Sequence, residues 1–241
     1  MSNSAPDSSS DPLPIVLIPG LTCTARLYAE QIPSLWQFGP VTIADHRRDD
    51  SMAAIARRIL AAAPPRFALA GLSMGGYIAF EIMRQAGERV VKLALLDTGG
   101  RADTPEQTER RRVLMAMAKE GRYAEIPELA FPLYVHRNRR HDESLKRIVC
   151  DMAAATGLEA YLRQQQAILS RPDSRPGLKA ITCPTLVLVG DGDEATPPEL
   201  AREIAAGIVG SRLVVIPDSG HLSTLEQPEA VTQALVEWLR P

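Results

Sequence analysis

The chain has 241 residues, of which 45% are hydrophobic and 23% charged, and a formal net charge of −2 at pH 7. That is ordinary globular composition with enough length to bury a sizeable core, and it excludes the basic footprint of a nucleic-acid or anionic-membrane binder. Three widely spaced cysteines, Cys23, Cys150 and Cys183, form no CxxC pair, so free thiols in a reducing compartment are expected rather than a disulfide framework or a zinc site.

Residues 1–12 read MSNSAPDSSSDP. This Ser/Asp/Pro-rich stretch lacks a basic region and an apolar run, so it is expected to be a disordered tail and not a signal peptide. No later stretch is apolar for the length of a membrane span, and a cytoplasmic protein is expected. Short apolar runs then recur at 15–18, 41–44, 67–70, 91–96, 185–189 and 213–216. They do not alternate polar with apolar, the pattern of strands covered on both faces. Amphipathic stretches lie between several of them. Residues 51–63 open on Ser51, a plausible helix cap, and stop at two prolines. Residues 75–86 place Ile78, Ile82 and Met83 on one face. Residues 199–208 follow Pro197-Pro198, and 229–239 carry the stripe Val231, Ala234, Leu235, Trp238, Leu239. The alternation predicts an α/β fold with a mostly parallel sheet of about six strands flanked by helices. One region breaks it. From 99 to 179 there are only helix-like segments, near 105–120, 123–134, 142–155 and 158–169, punctuated by Gly121, Gly157 and the 172–177 stretch. This is read as a helical insertion into a core formed by 13–98 and 180–241.

The strongest chemical signal is Gly71-Leu72-Ser73-Met74-Gly75, where a strand ends and a helix begins. A sharp strand-to-helix turn strains the serine backbone, and small residues two positions away on each side avoid a collision. The turn presents the hydroxyl beside a helix N-terminus, where the dipole favours negative charge. A serine hydroxyl needs a base. His136 and His141 lie in the arginine-rich run HRNRRH and read as solvated surface. His46 follows the second strand and reads as a loop residue. His221, after the last strand, can reach the serine from the C-terminal edge of the sheet. A carboxylate must fix the imidazole tautomer. Asp191 and Asp193 both follow the fifth strand and Asp97 follows the fourth, and spacing does not choose among them. For a developing oxyanion, the Met74 amide and the amide of Leu21, in the loop Pro19-Gly20-Leu21-Thr22, are the candidate donors.

These segments resemble the α/β-hydrolase superfamily over about 14–239, and within it the compact cap-bearing bacterial serine esterases, lactonases and carbon–carbon hydrolases. The matching pieces are IVLIPG, FALAGLSMGGYIAFEI, VKLALLDT, CPTLVLVGDGDEATPP and DSGHLSTLEQPEAV. The resemblance implies an α/β-hydrolase fold with a helical cap at 99–179, catalytic Ser73, Asp193 and His221, and an oxyanion hole of Leu21 and Met74. It favours Asp193 because the family's acid commonly lies three residues after the glycine that ends its strand. Two departures stand out. Pro19 replaces the histidine that often braces the oxyanion loop, and His46-Arg47-Arg48-Asp49-Asp50 replaces the Arg-Gly-His-Gly stretch of many relatives. With only a tail before Ile15, the resemblance also implies a sheet without the family's first two strands.

The expected chemistry is cleavage of a small carboxylic ester through an acyl-enzyme, with no cofactor, no metal, no nucleic-acid or membrane partner, and a monomer or homodimer as the working unit. Lactone or carbon–carbon hydrolysis and perhydrolysis use the same triad, and a non-catalytic ligand receptor can keep the same shape. Met115, Met117, Phe131, Leu133, Tyr134 and Tyr161 are candidates for pocket wall or for cap core. The insertion's arginines, Arg101, Arg110, Arg111, Arg112, Arg137, Arg139 and Arg140, read mainly as a solvated face with Glu106, Glu109 and Glu120, and alternatively as a site for a substrate carboxylate.

Overall fold

The computed structural model describes residues 12–240. Apart from Pro12, the expected disordered tail lies outside the described residues. Six strands form one parallel sheet in the order β2-β1-β3-β4-β5-β6: β1 (Ile15–Ile18), β2 (Val41–Ile43), β3 (Phe67–Leu72), β4 (Val90–Leu96), β5 (Thr185–Gly190) and β6 (Arg212–Ile216). The fold is the expected α/β architecture. β1, β3 and β5 are buried along their whole length, which explains their unbroken apolar sequences. The two edge strands differ, since β2 is part-exposed and β6 is buried only at Ile216. An edge strand has a neighbour on one side only, so less of it is covered.

The helices, in chain order, are α1 (Ile32–Leu35), α2 (Met52–Ala62), α3 (Met74–Ala86), α4 (Pro105–Met117), α5 (Glu125–Tyr134), α6 (Glu143–Thr156), α7 (Leu158–Leu169), α8 (Pro198–Gly207), α9 (Ser223–Glu226) and α10 (Pro228–Leu239). Alternate strand residues face opposite layers. Val16, Ile18, Leu69, Leu93 and Val187 pack with α2, α3 and α8. Ile15, Leu17, Ala68, Ala94 and Leu186 pack on the other side with α10 and the α1 region. The predicted stripe of α10 is buried throughout, and truncation of Leu235 to alanine there costs about 2–5 kcal/mol. Ser51 caps α2 by accepting from the Ala54 amide at 3.3 Å.

Helices α4 to α7 lie between β4 and β5. Thr104 and Gln107 form a reciprocal capping box at the start of α4. Gly121 (φ 88) and Gly157 (φ 80) take the left-handed backbone that separates neighbouring helices. These helices hold a small core of their own around Ala118, Ile126 and Tyr161.

The strand order places a switch point between β1 and β3, whose carboxyl ends lie side by side. Loops leaving there diverge and open a crevice. Among the described residues, four non-glycine residues have positive φ: Thr22, Ser73, Asp97 and Asp218. Each follows the end of a strand on this edge, so the backbone strain is concentrated where the loops converge.

Candidate active site

The serine turn is fixed by sterics on both sides. Ser73 has φ 55 and ψ −114. A Cβ on Gly71 would collide with the Gly75 carbonyl, and one on Gly75 with the Ile18 carbonyl. Both obstacles are backbone, so neither can swing aside. The Ser73 amide donates to the Leu96 carbonyl at 3.0 Å, and Thr98 Oγ1 donates to the Ser73 carbonyl at 2.8 Å. The strained serine is therefore held by neighbours on β4 and just after it.

His221 Nε2 lies 2.8 Å from Ser73 Oγ, and Nδ1 lies 2.9 Å from Asp193 Oδ2. Residues separated by 148 positions meet because β3, β5 and β6 all end on one edge. His221 and Asp193 are buried. Asp193 Oδ1 accepts from the Ala195 and Thr196 amides, each at 2.8 Å, and Oδ2 accepts from Thr196 Oγ1 at 2.7 Å. These donors tie the carboxylate to the turn after β5. Burial is the largest single influence and works against a charged imidazole, but the Asp193 carboxylate, with the Asp97 and Glu226 charges, together outweighs it, so His221 titrates above its ordinary value.

The other two aspartates sit elsewhere. Asp191 is exposed and accepts from the Ser219 amide, a turn role. Asp97 is fully buried, accepting from the Gly190 amide at 2.9 Å and from Ser223 Oγ. Burial, then the Asp193 charge, push its carboxyl well above the usual range.

The histidine loop is anchored by Glu226. Its Oε1 accepts from the Gly220 amide at 2.9 Å, and its Oε2 from the His136 amide at 2.7 Å. The His221 amide donates to the Tyr134 carbonyl at 3.0 Å. This corrects one reading: His136 is buried, while His141 is exposed as a surface residue should be. The His136 ring packs against Gly192, where a Cβ would collide with it. The run HRNRRH looks uniformly polar, but its first member follows the last turn of α5 into the core.

The loop after β1 is braced in an unexpected way. His46 reads from sequence as a loop residue, yet it is buried, with Nε2 2.9 Å from the Gly20 carbonyl. Gln164 of α7 accepts from the Thr22 amide at 3.1 Å, and Thr156 of α6 donates to the Thr22 carbonyl at 3.1 Å. Two of the helices between β4 and β5 thus grip the peptide beyond Leu21, where Pro19 offers no side-chain donor. Gln164 and Thr156 escaped sequence reading because no local motif marks a contact across more than 130 residues. Among the described residues, the Leu21 and Met74 amides have no acceptor. Both are free to donate to a ligand.

Beside Ser73 and His221 lies a cavity of about 490 Å³, within the usual range for small-molecule sites. Leu133 and Tyr134 line it, but Met115, Met117, Phe131 and Tyr161 do not. Phe131 and Tyr161 are buried in packing instead. Cys23 also borders the cavity, and burial pushes its thiol up to about 12, so it carries little thiolate at neutral pH. The three cysteines are free. Among the described residues, no cluster of three His, Cys, Asp or Glu side chains is spaced to hold a metal ion, and no helix is long and apolar enough to cross a membrane.

Comparison with known proteins agrees with the architecture. A family model described as alpha/beta hydrolase family matches residues 15–234. A Mycobacterium tuberculosis protein, BpoC, named as a candidate non-heme bromoperoxidase, is 33% identical over 187 residues, 73% of this chain and 68% of that one. A Klebsiella pneumoniae protein named 2-hydroxy-6-oxononadienedioate/2-hydroxy-6-oxononatrienedioate hydrolase is 29% identical over 177 residues, 71% of this chain and 61% of that one. The malate-bound structure of a thermophilic esterase from Thermogutta terrifontis superposes with a TM-score of 0.86 at 33% identity, covering 95% of this chain and 89% of that one.

Proposed function

Because this chain belongs to the alpha/beta hydrolase family, we propose that it is a serine hydrolase that cleaves a small carboxylic ester through an acyl-enzyme. The observation that carries this reading is the unbroken path from Ser73 Oγ to His221 Nε2 and from His221 Nδ1 to Asp193 Oδ2. As Ser73 attacks the ester carbonyl, His221 takes its proton, and Asp193 stabilises the imidazolium without itself taking a proton. The Leu21 and Met74 amides hold the negative oxygen of the tetrahedral intermediate. Collapse expels the alcohol, which receives its proton from His221. Water, activated by the same imidazole, then attacks the acyl-enzyme and releases the acid. Helices α4 to α7, within the 99–179 insertion, act as a cap that walls the cavity over Ser73.

The test is multiple-turnover hydrolysis of short-chain p-nitrophenyl esters by the wild-type protein and Ser73→Ala. The variant is expected to lose about 10⁴-fold or more in kcat while remaining folded. Retained activity in Ser73→Ala would remove the serine from the mechanism. Parallel assays with a lactone, a vinylogous diketone and added peroxide separate ester cleavage from the other reactions open to this triad. Labelling of Ser73 without turnover of any substrate points to a receptor.

A further inference from the structure

We propose that the cap wall of the cavity contains a carboxylate-binding subsite centred on Arg111, so that the natural substrate is an anionic ester or lactone. This rests on the reading of the cavity as the acyl-transfer site. Most of the inserted arginines are surface groups. Arg101, Arg139 and Arg140 pair in solvent-facing positions with Glu203, Asp142 and Glu194. Arg110 and Arg111 both border the cavity, but Arg110 is exposed, whereas Arg111 is largely buried and held by buried partners.

Its side chain is 21% exposed, and it lines the same cavity as Ser73 and His221. Its Nε donates to Asp103 Oδ2 at 2.7 Å, and its Nη1 donates to Gln165 Oε1 at 3.1 Å. Asp103 is shared, because Arg171 Nη2 lies 2.8 Å from its other oxygen. The Arg171 side chain is 7% exposed and that of Asp103 is 3% exposed. Two guanidinium groups therefore have one carboxylate between them, leaving one uncompensated positive charge in a largely dry cluster. Arg171 lies behind the cavity wall, 4.2 Å from the centroid of the Tyr77 ring, and Arg111 is the member that borders the opening.

An unbalanced buried charge is costly unless something neutralises it. The carboxylate that lines the cavity, Glu194, is committed to Arg140, and Asp193, behind His221, is committed to that imidazole. Arg111 Nη2 has no acceptor among the described residues. Nη1 uses one of its two hydrogens on Gln165, so the Nη1–Nη2 edge can still take a carboxylate in the two-point geometry that guanidinium favours. The Tyr77 and Tyr134 hydroxyls are near enough to act on the Arg111 charge, and both residues line the cavity. Leu133, Met152 and Ile168 supply apolar wall suited to a short methylene chain between the carboxylate and the reacting carbonyl.

The experiment compares the monoethyl esters of C4 to C6 dicarboxylic acids with their neutral ethyl methyl diesters, reading ethanol release. Wild-type protein is expected to favour at least one monoester by about tenfold or more in kcat/KM, mainly through KM, the scale of one charge-assisted contact. In Arg111→Gln that preference should fall towards unity, and Arg111→Lys should recover part of it. In parallel, adipate and its neutral counterpart hexanamide are titrated calorimetrically into wild-type protein, which should bind adipate at least about tenfold more tightly. Equal kcat/KM for charged and neutral esters, or equal affinity for adipate and hexanamide, would overturn the subsite even if Arg111→Gln failed to fold. Turnover of neutral diesters without an anionic preference would sink the subsite and spare the hydrolase. Absence of any turnover or Ser73 labelling would sink the hydrolase, and the titration would still decide the subsite.

Discussion

Replacing Asp193 by asparagine changes one oxygen to an amide nitrogen, and the structure dictates which one. Oδ1 accepts from two backbone amides, at Ala195 and Thr196. Turning the NH2 group towards them would set donor against donor and leave two amide hydrogens without an acceptor, at about 1–3 kcal/mol each. The asparagine oxygen must therefore stay at the Oδ1 position, and its NH2 must face His221 Nδ1. The imidazole can then only accept at Nδ1, so its proton moves to Nε2 and points at Ser73. In that tautomer the ring cannot receive the serine proton. The expected loss is about 10⁴ in kcat, equivalent to about 5.5 kcal/mol of barrier. Because the loop amides keep their acceptor, thermal unfolding should move by only a few degrees. Asp193→Ala removes that acceptor, and its melting temperature should fall by more. The assay is steady-state ester hydrolysis paired with a thermal melt of each variant. Asp193→Asn retaining a tenth or more of wild-type kcat would refute the tautomer argument and shift attention to Asp97, whose charge also acts on His221.

His221 must be neutral to act as a base, and its carboxylate neighbours hold it above the ordinary histidine value, so kcat/KM should fall as pH drops through a midpoint higher than that of a free imidazole; a midpoint at or below that of a free imidazole would contradict the Asp193 pairing. Gly75→Ala forces a methyl into the Ile18 carbonyl and should destabilise the fold by about 1–3 kcal/mol or more, seen as a melting temperature lower by several degrees, whereas Gly20→Ala, whose Cβ would sit 3.4 Å from that of Ser73, should melt close to wild type. Gln164→Leu strips the acceptor from the Thr22 amide and should lower kcat about tenfold with a smaller change in KM, because the loop that carries the Leu21 donor loses its brace; a change confined to KM would argue against that role.

The strands were legible because each central run is apolar on both faces, as burial under two helical layers requires. β3 runs two residues beyond the predicted 67–70 because Gly71 and Leu72 continue the ladder to Leu95 and Leu96, and glycine carries no apolar signal. The serine turn and the histidine loop were legible as local patterns at strand ends. The choice among Asp97, Asp191 and Asp193 was not, since all three follow strands and only packing separates a buried, histidine-facing carboxylate from a turn residue. His46, His136 and Gln164 were misread or passed over for one reason. Their roles depend on partners far away in the chain, and polar neighbours in sequence masked their burial. Short α1 and α9 also left no periodic signal, each spanning four residues.

The most direct measurement on Ser73 is the intact mass and peptide map of the protein after treatment with a fluorophosphonate. A serine activated by His221 takes up one adduct per chain, mapped to Ser73, and labelling slows sharply in His221→Ala. No adduct, or one on another residue with Ser73 untouched, would contradict an activated nucleophile at the head of α3.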